Sequence, residues 1–360
     1  MPPQNLGRRF FAGLFLLPLT LSLAVASRAE TLSGAGSSAA APVYRAWAAA
    51  YGGRQDFQFA YQPVGSTAGL KQARARAVGF GASDVAPSEQ ELGKDALVLV
   101  PTFVTGAVPV VNLPKVGNGK LRLSGEVLAA IFLGQVTRWN APEIQKLNPG
   151  LALPELDIKP VVRSDGSGTT YYFTDYLSKI SPEWRKKFGA DTAIAWPTNF
   201  VAAKGSDGVS KAVRDTAGAI GYIDFDYLAQ DGLAGVQLRN AAGEFVSPGA
   251  DAFRTALRAS EWSASGDFHA TLANQPGFNS WPITMGTFVL LPKVTSQPDA
   301  ALAVRFFVWT LMKGDPVVEH MGFVRLPDRM QAQAFKALSS VVTASGKAPA
   351  LQAMGELSGK

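Results

Sequence analysis

Ile158-Lys159-Pro160-Val161-Val162-Arg163-Ser164-Asp165-Gly166-Ser167-Gly168-Thr169 runs from a β-rich segment, through a polar turn, into Tyr172-Phe173 and Tyr176-Leu177. The spacing predicts a strand over residues 158–163 and a helix that begins at Ser167, Gly168 and Thr169. A strand followed by a helix across a short glycine-rich turn is the unit of an α/β fold. Arg163 ends the strand and offers a bidentate donor fork, and Asp165 is placed to hold that fork. The bland alternative is an ordinary strand-to-helix turn carrying a surface ion pair.

The same pattern extends in both directions. Further strands are expected at residues 57–61, 78–82, 97–100, 108–112, 219–223 and 284–291. Residues 299–313 read as a helix with an apolar face of Ala303, Phe306, Phe307 and Thr310. Ser88-Glu89-Gln90-Glu91 is a capping box. Two more helix starts combine glycine with a small hydroxyl residue. Gly34-Ala35-Gly36-Ser37-Ser38 precedes a helix with Pro42 in its first turn, ended by Gly52-Gly53, and Gly65-Ser66-Thr67 precedes Leu70-Lys71-Gln72. A helix N-terminus presents unpaired N–H groups and partial positive charge, so three such starts converging would bind an anion without a lysine. Taken singly, each is an ordinary cap. Gly81-Ala82-Ser83-Asp84 ends another strand. Asp84 is either a turn residue or, near an anion, a repulsive group unless the anion carries a proton to donate.

The amino terminus reads as a removable export signal. Arg8 and Arg9 precede an apolar run over residues 10–25, and Ser27 and Ala29 form a small-x-small cleavage site. The run is about 16 residues, short of the ~20 that a membrane-spanning helix needs. The general and twin-arginine export routes both stay open. Without residues 1–29 the chain is long enough for two domains. The 360 residues carry 34 Lys and Arg against 28 Asp and Glu, a formal net charge of +6. Arg8, Arg9 and Arg28 leave with the signal, and the remaining basic residues are scattered apart from Arg185-Lys186-Lys187. No nucleic-acid footprint results. There is no cysteine, hence neither a disulfide frame nor a lipidated cysteine.

Enzyme chemistry finds no foothold. No Gly-x-Ser-x-Gly elbow and no Walker motif occur, and the only histidines, His269 and His320, lie far apart without metal-ligand spacing. No metal or cofactor is expected. Trp47, Trp139, Trp196, Trp262 and Trp281 read as core.

Taken together, the segments resemble the family of periplasmic phosphate-binding proteins that serve the bacterial phosphate-specific ABC transporter. The resemblance is carried, in order, by Gly34-Ala35-Gly36 through Ala41-Pro42-Val43-Tyr44, Gly65-Ser66-Thr67-Ala68-Gly69-Leu70-Lys71-Gln72, Phe80-Gly81-Ala82-Ser83-Asp84, Pro101-Thr102 to Asn112-Leu113-Pro114, Ile131-Phe132-Leu133-Gly134 with Arg138-Trp139-Asn140, and Leu147-Asn148-Pro149-Gly150. It continues through Arg163 to Thr169, Gly218-Ala219-Ile220-Gly221-Tyr222 and Trp281-Pro282-Ile283-Thr284. It covers residues 31 to about 330.

The resemblance implies a two-lobed, type II-like periplasmic binding protein with the ligand in the cleft. Lobe I would be residues 30–104 plus 285–345, lobe II residues 105–284, and residues 346–360 a loose tail. It implies phosphate ligands at Ser38, Ala39, Ser66, Asp84, Arg163, Ser167, Gly168 and Thr169, with Asp165 orienting Arg163. It also implies membrane permease subunits as partner, a monomer, and a periplasmic location. Where this chain has Ser38-Ala39 the family usually has threonine and phenylalanine, and its proline is Ala40 here. Ser38 keeps a hydroxyl and Ala39 keeps a backbone N–H. A secreted phosphate- or arsenate-binding paralogue and a phosphoester hydrolase reusing the fold are the alternatives.

Overall fold

The computed structural model describes Met1 and residues 30–52, 57–295 and 297–358. The expected export signal, Gly53 and the last two residues lie outside the described residues. Eight strands carry the architecture: β1 (Glu30–Gly36), β2 (Phe57–Gln62), β3 (Phe80–Ser83), β4 (Leu97–Val111), β5 (Lys159–Arg163), β6 (Val201–Ala203), β7 (Ala219–Asp224) and β8 (Thr284–Pro292). They form one hydrogen-bonded path, β2-β1-β3-β8-β4-β7-β5-β6. β1 pairs parallel with β2 and β3, and β5 pairs parallel with β6 and β7, while β8 and β4 run antiparallel to their neighbours.

β4 joins the two halves of this mixed α/β fold. Residues 97–106 pair with β8, and residues 107–111 pair with β7. The change of partner falls between Gly106, opposite Thr284, and Ala107, opposite Asp224. Two separate strands at 97–100 and 108–112 are therefore one strand of 15 residues. Leu97–Val111 is an almost continuous apolar run, as a strand covered on both faces requires. Its prolines do not break it. Pro101 lies opposite the register shift between Thr287 and Phe288, where a missing N–H is tolerated.

β1 is absent from the sequence reading, which takes Gly34-Ala35-Gly36 only as the approach to a helix. The segment Glu30–Gly36 has few branched residues, so it lacks a strand's usual composition. Close packing explains the glycine: a Cβ on Gly34 would lie 2.2 Å from the Phe80 ring.

Each half has its own core. Leu32, Tyr44, Trp47, Phe80, Phe103, Phe306 and Phe307 fill the first, and Phe132, Trp139, Phe173, Trp184, Tyr222 and Trp281 lie in the second. Of the five tryptophans expected in the core, Trp47, Trp139, Trp262 and Trp281 are buried, whereas Trp196 is half-buried against Trp184 and Phe200.

Seven helices frame the ligand crevice and the first core: α1 (Ala41–Tyr51), α2 (Ser66–Arg74), α3 (Gly168–Ile180), α4 (Gly205–Asp215), α5 (Phe225–Asp231), α6 (Pro298–Lys313) and α7 (Pro349–Ser358). Ala303, Phe306, Phe307 and Thr310 of α6 are buried, as the spacing predicts. The capping box at Ser88 and Glu91 is formed in both directions. The expectation of a loose tail is corrected: α7 packs on α6 and buries Ala350 and Ala353 in the first core. Small alanines allow that close approach, and the glycine- and serine-rich composition hides it. Among the described residues no helix is long and apolar enough to cross a membrane.

Candidate anion-binding site

The predicted residues gather where parallel strands end and helices begin, the usual ligand crevice of an open α/β sheet. β1 ends at Gly36 and leads through Ser37-Ser38-Ala39 into α1. α2 begins at Ser66. β3 runs into Asp84. β5 ends at Arg163, and α3 begins at Gly168.

Asp84 is the hub. It is 1% exposed. Its Oδ2 accepts from Ser37 Oγ at 2.8 Å and from Ser66 Oγ at 3.2 Å. Its own N–H donates to Ser66 Oγ at 3.1 Å, and the Gly168 N–H donates to the same oxygen at 3.2 Å. One serine thus ties β3 to the first turn of α3. The approach is tight enough to require glycine, because a Cβ on Gly168 would lie 2.4 Å from the Asp84 Cβ. Burial pushes the Asp84 carboxyl up to about 6, against the lowering pull of the Ser37 and Ser66 hydroxyls and the Arg163 charge.

Arg163 is 3% exposed and held as a fork. Nε donates to Asp165 Oδ1 at 2.8 Å and Nη2 to Asp165 Oδ2 at 2.5 Å. Asp165 Oδ1 also accepts the Gly205 N–H at 3.0 Å. Burial opposes ionisation of Asp165, but the guanidinium and that amide outweigh it and hold the carboxyl below its ordinary value.

Four buried side-chain atoms here have no hydrogen-bond partner among the described residues: Ser38 Oγ, Asp84 Oδ1, Arg163 Nη1 and Thr169 Oγ1. Buried polar atoms are nearly always satisfied, so four orphans on residues joined by short contacts point to a ligand. Three can donate and one, the carboxylate oxygen, accepts. That complement suits an oxyanion that still carries a proton.

The remaining predicted residues differ in what they offer. Ala39 is fully buried and can contribute only its backbone. Ser167 Oγ accepts from the Thr170 N–H at 3.1 Å and caps α3, while the Ser167 N–H donates to the Thr192 carbonyl at 2.9 Å. Ser167 retains its O–H as a donor.

Sequence reasoning missed several participants. Ser37 belongs to the first glycine-hydroxyl helix start, yet nothing local gives it a role. Gly205 opens α4 in Lys204-Gly205-Ser206, a fourth glycine-hydroxyl helix start that the pattern could have found. The Tyr227 hydroxyl, from α5, donates to the Ser38 carbonyl at 3.3 Å across the cleft. Thr67 likewise donates its N–H to the Gly166 carbonyl at 3.2 Å and its hydroxyl to Thr192 Oγ1 at 3.1 Å. Asp224, which caps α5, accepts from Thr105 Oγ1 at 3.1 Å beside the change of strand partner. Burial first, and then the Asp84 charge, raise its carboxyl well above the ordinary value. No local signal marks Tyr227 or Asp224.

His269 and His320 lie at the surface. Among the described residues no group of His, Cys, Asp and Glu could hold a metal ion.

The family model described as a PBP superfamily domain matches residues 23–311. The phosphate-binding protein PstS of Pasteurella multocida (strain Pm70) is 40% identical over 325 residues, covering 89% of this chain and 94% of that protein. The phosphate-binding protein PstS of Xylella fastidiosa (strain Temecula1) is 40% identical over 308 residues, covering 85% and 84%. These relatives are named as binding proteins, not as enzymes. Among solved structures, a phosphate-binding protein from Stenotrophomonas maltophilia aligns over 85% of this chain and 93% of its own, with a TM-score of 0.64 and 20% identity. A high-affinity periplasmic phosphate-binding protein bound with phosphate covers the same shares, with a TM-score of 0.66 and 21% identity. At such identity the likeness speaks for the two-lobed fold. With two PstS relatives matched over most of their length, the chain belongs to the PBP superfamily and, within it, to the PstS family of phosphate-binding proteins.

Proposed function

We propose that this protein captures inorganic phosphate in the periplasm and delivers it, as a monomer, to the permease subunits of an ABC transporter. The observation that carries the reading is the pairing of a buried acceptor, Asp84 Oδ1, with a buried cationic donor, Arg163 Nη1, both without partners among the described residues. Phosphate near neutral pH keeps at least one proton for Asp84 and presents three further oxygens to Arg163, Ser38 and Thr169.

Ser66, Ser167 and the N–H groups of Ala39 and Gly168 complete the ligand set, and Asp165 orients Arg163. An entering phosphate replaces the bond between Gly168 and Ser66 with bonds to its own oxygens. The export signal at residues 1–29 and the family names support a periplasmic location. Residues 30–104 with 285–345 form lobe I, to which α7 is added, and residues 105–284 form lobe II.

Isothermal calorimetry on the protein from residue 30 onward, titrated with phosphate, tests the reading. Saturable one-site binding is expected, and no heat at about millimolar phosphate, the weak end of useful affinity, refutes it. Turnover of a phosphoester with divalent metal would refute a purely binding role.

A further inference from the structure

A second cavity lies away from the cleft, with a volume of about 470 Å³, and has both a floor and a charge. Leu257 and Trp262 line one wall, and Val324 and Met330 the other, all buried. The first pair comes from the helix Ala250–Arg258 and the short helix Glu261–Ala264. The second comes from the strand Val324–Arg325 and the helix Asp328–Ser339. Val324 pairs with Val104 of β4, close to the point where that strand changes partner. The cavity is thus walled by both halves of the molecule beside their crossing.

The rim is basic. Arg254 holds Asp251 at 2.5 Å. Arg325 is compensated by Asp315, Asp328 and Glu319, and among the described residues Glu319 is the only acid that lines the cavity. Arg258 and Arg329 are exposed and have no carboxylate partner among the described residues. Two uncompensated guanidinium groups therefore border an apolar floor of four side chains.

We propose that this cavity is a second anion site, for a small organic anion with an apolar body. The charges recruit the anionic group, and arginine binds carboxylate, sulfonate or phosphate oxygens as a fork. The floor stabilises only a ligand that can remove apolar surface from water. Inorganic phosphate has no such surface, so the two sites differ in class: the cleft recognises protons and oxygens, this cavity a charge joined to a hydrophobic body. The volume lies in the ordinary range for small-molecule sites. An occupant touches both lobes, so whatever factor by which phosphate changes its affinity is the factor by which it changes that of phosphate.

The test uses naphthalene-2-sulfonate, whose sulfonate carries no proton for Asp84. It is titrated by calorimetry into the exported chain held in saturating phosphate, so that the cleft is filled. Binding at millimolar or lower concentration is expected. Methanesulfonate, the same charge without a ring system, should bind at least about tenfold more weakly, since several ring carbons lose their burial. The double variant Arg258→Ala/Arg329→Ala should weaken the probe at least about fivefold, the order expected for two solvent-facing charges. Both side chains are exposed, and unchanged phosphate binding by the variant verifies its fold. No probe binding at about ten millimolar, well beyond useful affinity, overturns the proposal. So does equal binding by the double variant, equal binding of methanesulfonate, or displacement of the probe by phosphate, which would place it in the cleft.

Discussion

Replacing Asp84 by asparagine should make the ligand-free protein more stable and less selective. The carboxyl is raised from 3.8 to about 6. A tenfold change in proton affinity is worth ~1.4 kcal/mol, so ionised Asp84 costs the native state about 3 kcal/mol above both values. The sign comes from the raised value. The stabilising contribution is fully present below about pH 3.8 and is lost as pH rises through about 6. An amide in this place still accepts from Ser37 and Ser66 but carries no charge to bury. Asp84→Asn should therefore raise the melting temperature of the ligand-free protein by several degrees at pH 8, with the advantage gone near pH 4. Binding should change the other way. A site built around one hydrogen bond rejects an analogue lacking that group by roughly 10⁴–10⁵. Sulfate brings no proton and meets a like charge. In wild type, sulfate should be excluded at pH 8, and the exclusion should relax as pH falls through about 6, where Asp84 gains a proton to donate. Asp84→Asn should weaken phosphate less than it relaxes the exclusion of sulfate. Arsenate carries the same protons as phosphate and should not be rejected by this device. Thermal melts at pH 8 and pH 4, with phosphate–sulfate competition, read all of this. Equal melting gains at both pH values, or an unaltered selectivity ratio in the variant, would refute the reasoning.

Arg163→Ala should weaken phosphate binding at least about tenfold, because it removes the cationic donor and leaves Asp165 buried without its partner; an unchanged dissociation constant in calorimetry would place Arg163 outside the site. Arg163→Lys should not restore affinity, since an ammonium cannot hold Asp165 and a ligand as a fork does. Tyr227→Phe deletes the hydroxyl that reaches the Ser38 carbonyl across the cleft. A net ~1 kcal/mol for one hydrogen bond predicts roughly fivefold weaker phosphate binding, chiefly through faster release in stopped flow. Phosphate should also compact the protein in solution scattering, because two lobes that meet through Thr67 and Ser66 can part only at the β4–β8 crossing; superimposable curves with and without saturating phosphate would contradict a closing cleft.

What the sequence made legible were features set by neighbours in the chain. The helix starts at Ser66 and Gly168 and the Ser88–Glu91 box lie within a few residues, where local chemistry decides the outcome. The α6 face follows from helical spacing alone. The features that escaped depend on what lies opposite. β1 uses glycine because Phe80 presses on it, and no residue near Gly34 announces Phe80. Tyr227 reaches Ser38 only because the lobes meet there. Asp165 could be paired with Arg163 by proximity, yet the Gly205 amide that fixes it is 40 residues away. The export signal is legible in composition and lies outside what the structure describes. Ala39 entered the ligand set through family resemblance alone, since its backbone N–H has no signature.

Asp84 joins both cases. As a letter it is an acid at the end of a strand, which residue chemistry alone leaves as either a turn residue or a partner for a protonated anion. The fold buries it, gives one oxygen two hydroxyl partners and leaves the other bare beside a guanidinium that is also incomplete. Natural proteins avoid such arrangements because each unsatisfied buried group lowers stability. Here four residues of the proposed ligand set carry such deficits among the described residues, and on that reading a protonated tetrahedral oxyanion would satisfy them together. Burial of the Asp84 carboxylate opposes its ionisation, and under the proposed function that cost is what would give selectivity. A variant that relieves Asp84 should therefore lose its predicted penalty against sulfate, and phosphate–sulfate competition that matches wild type would refute this.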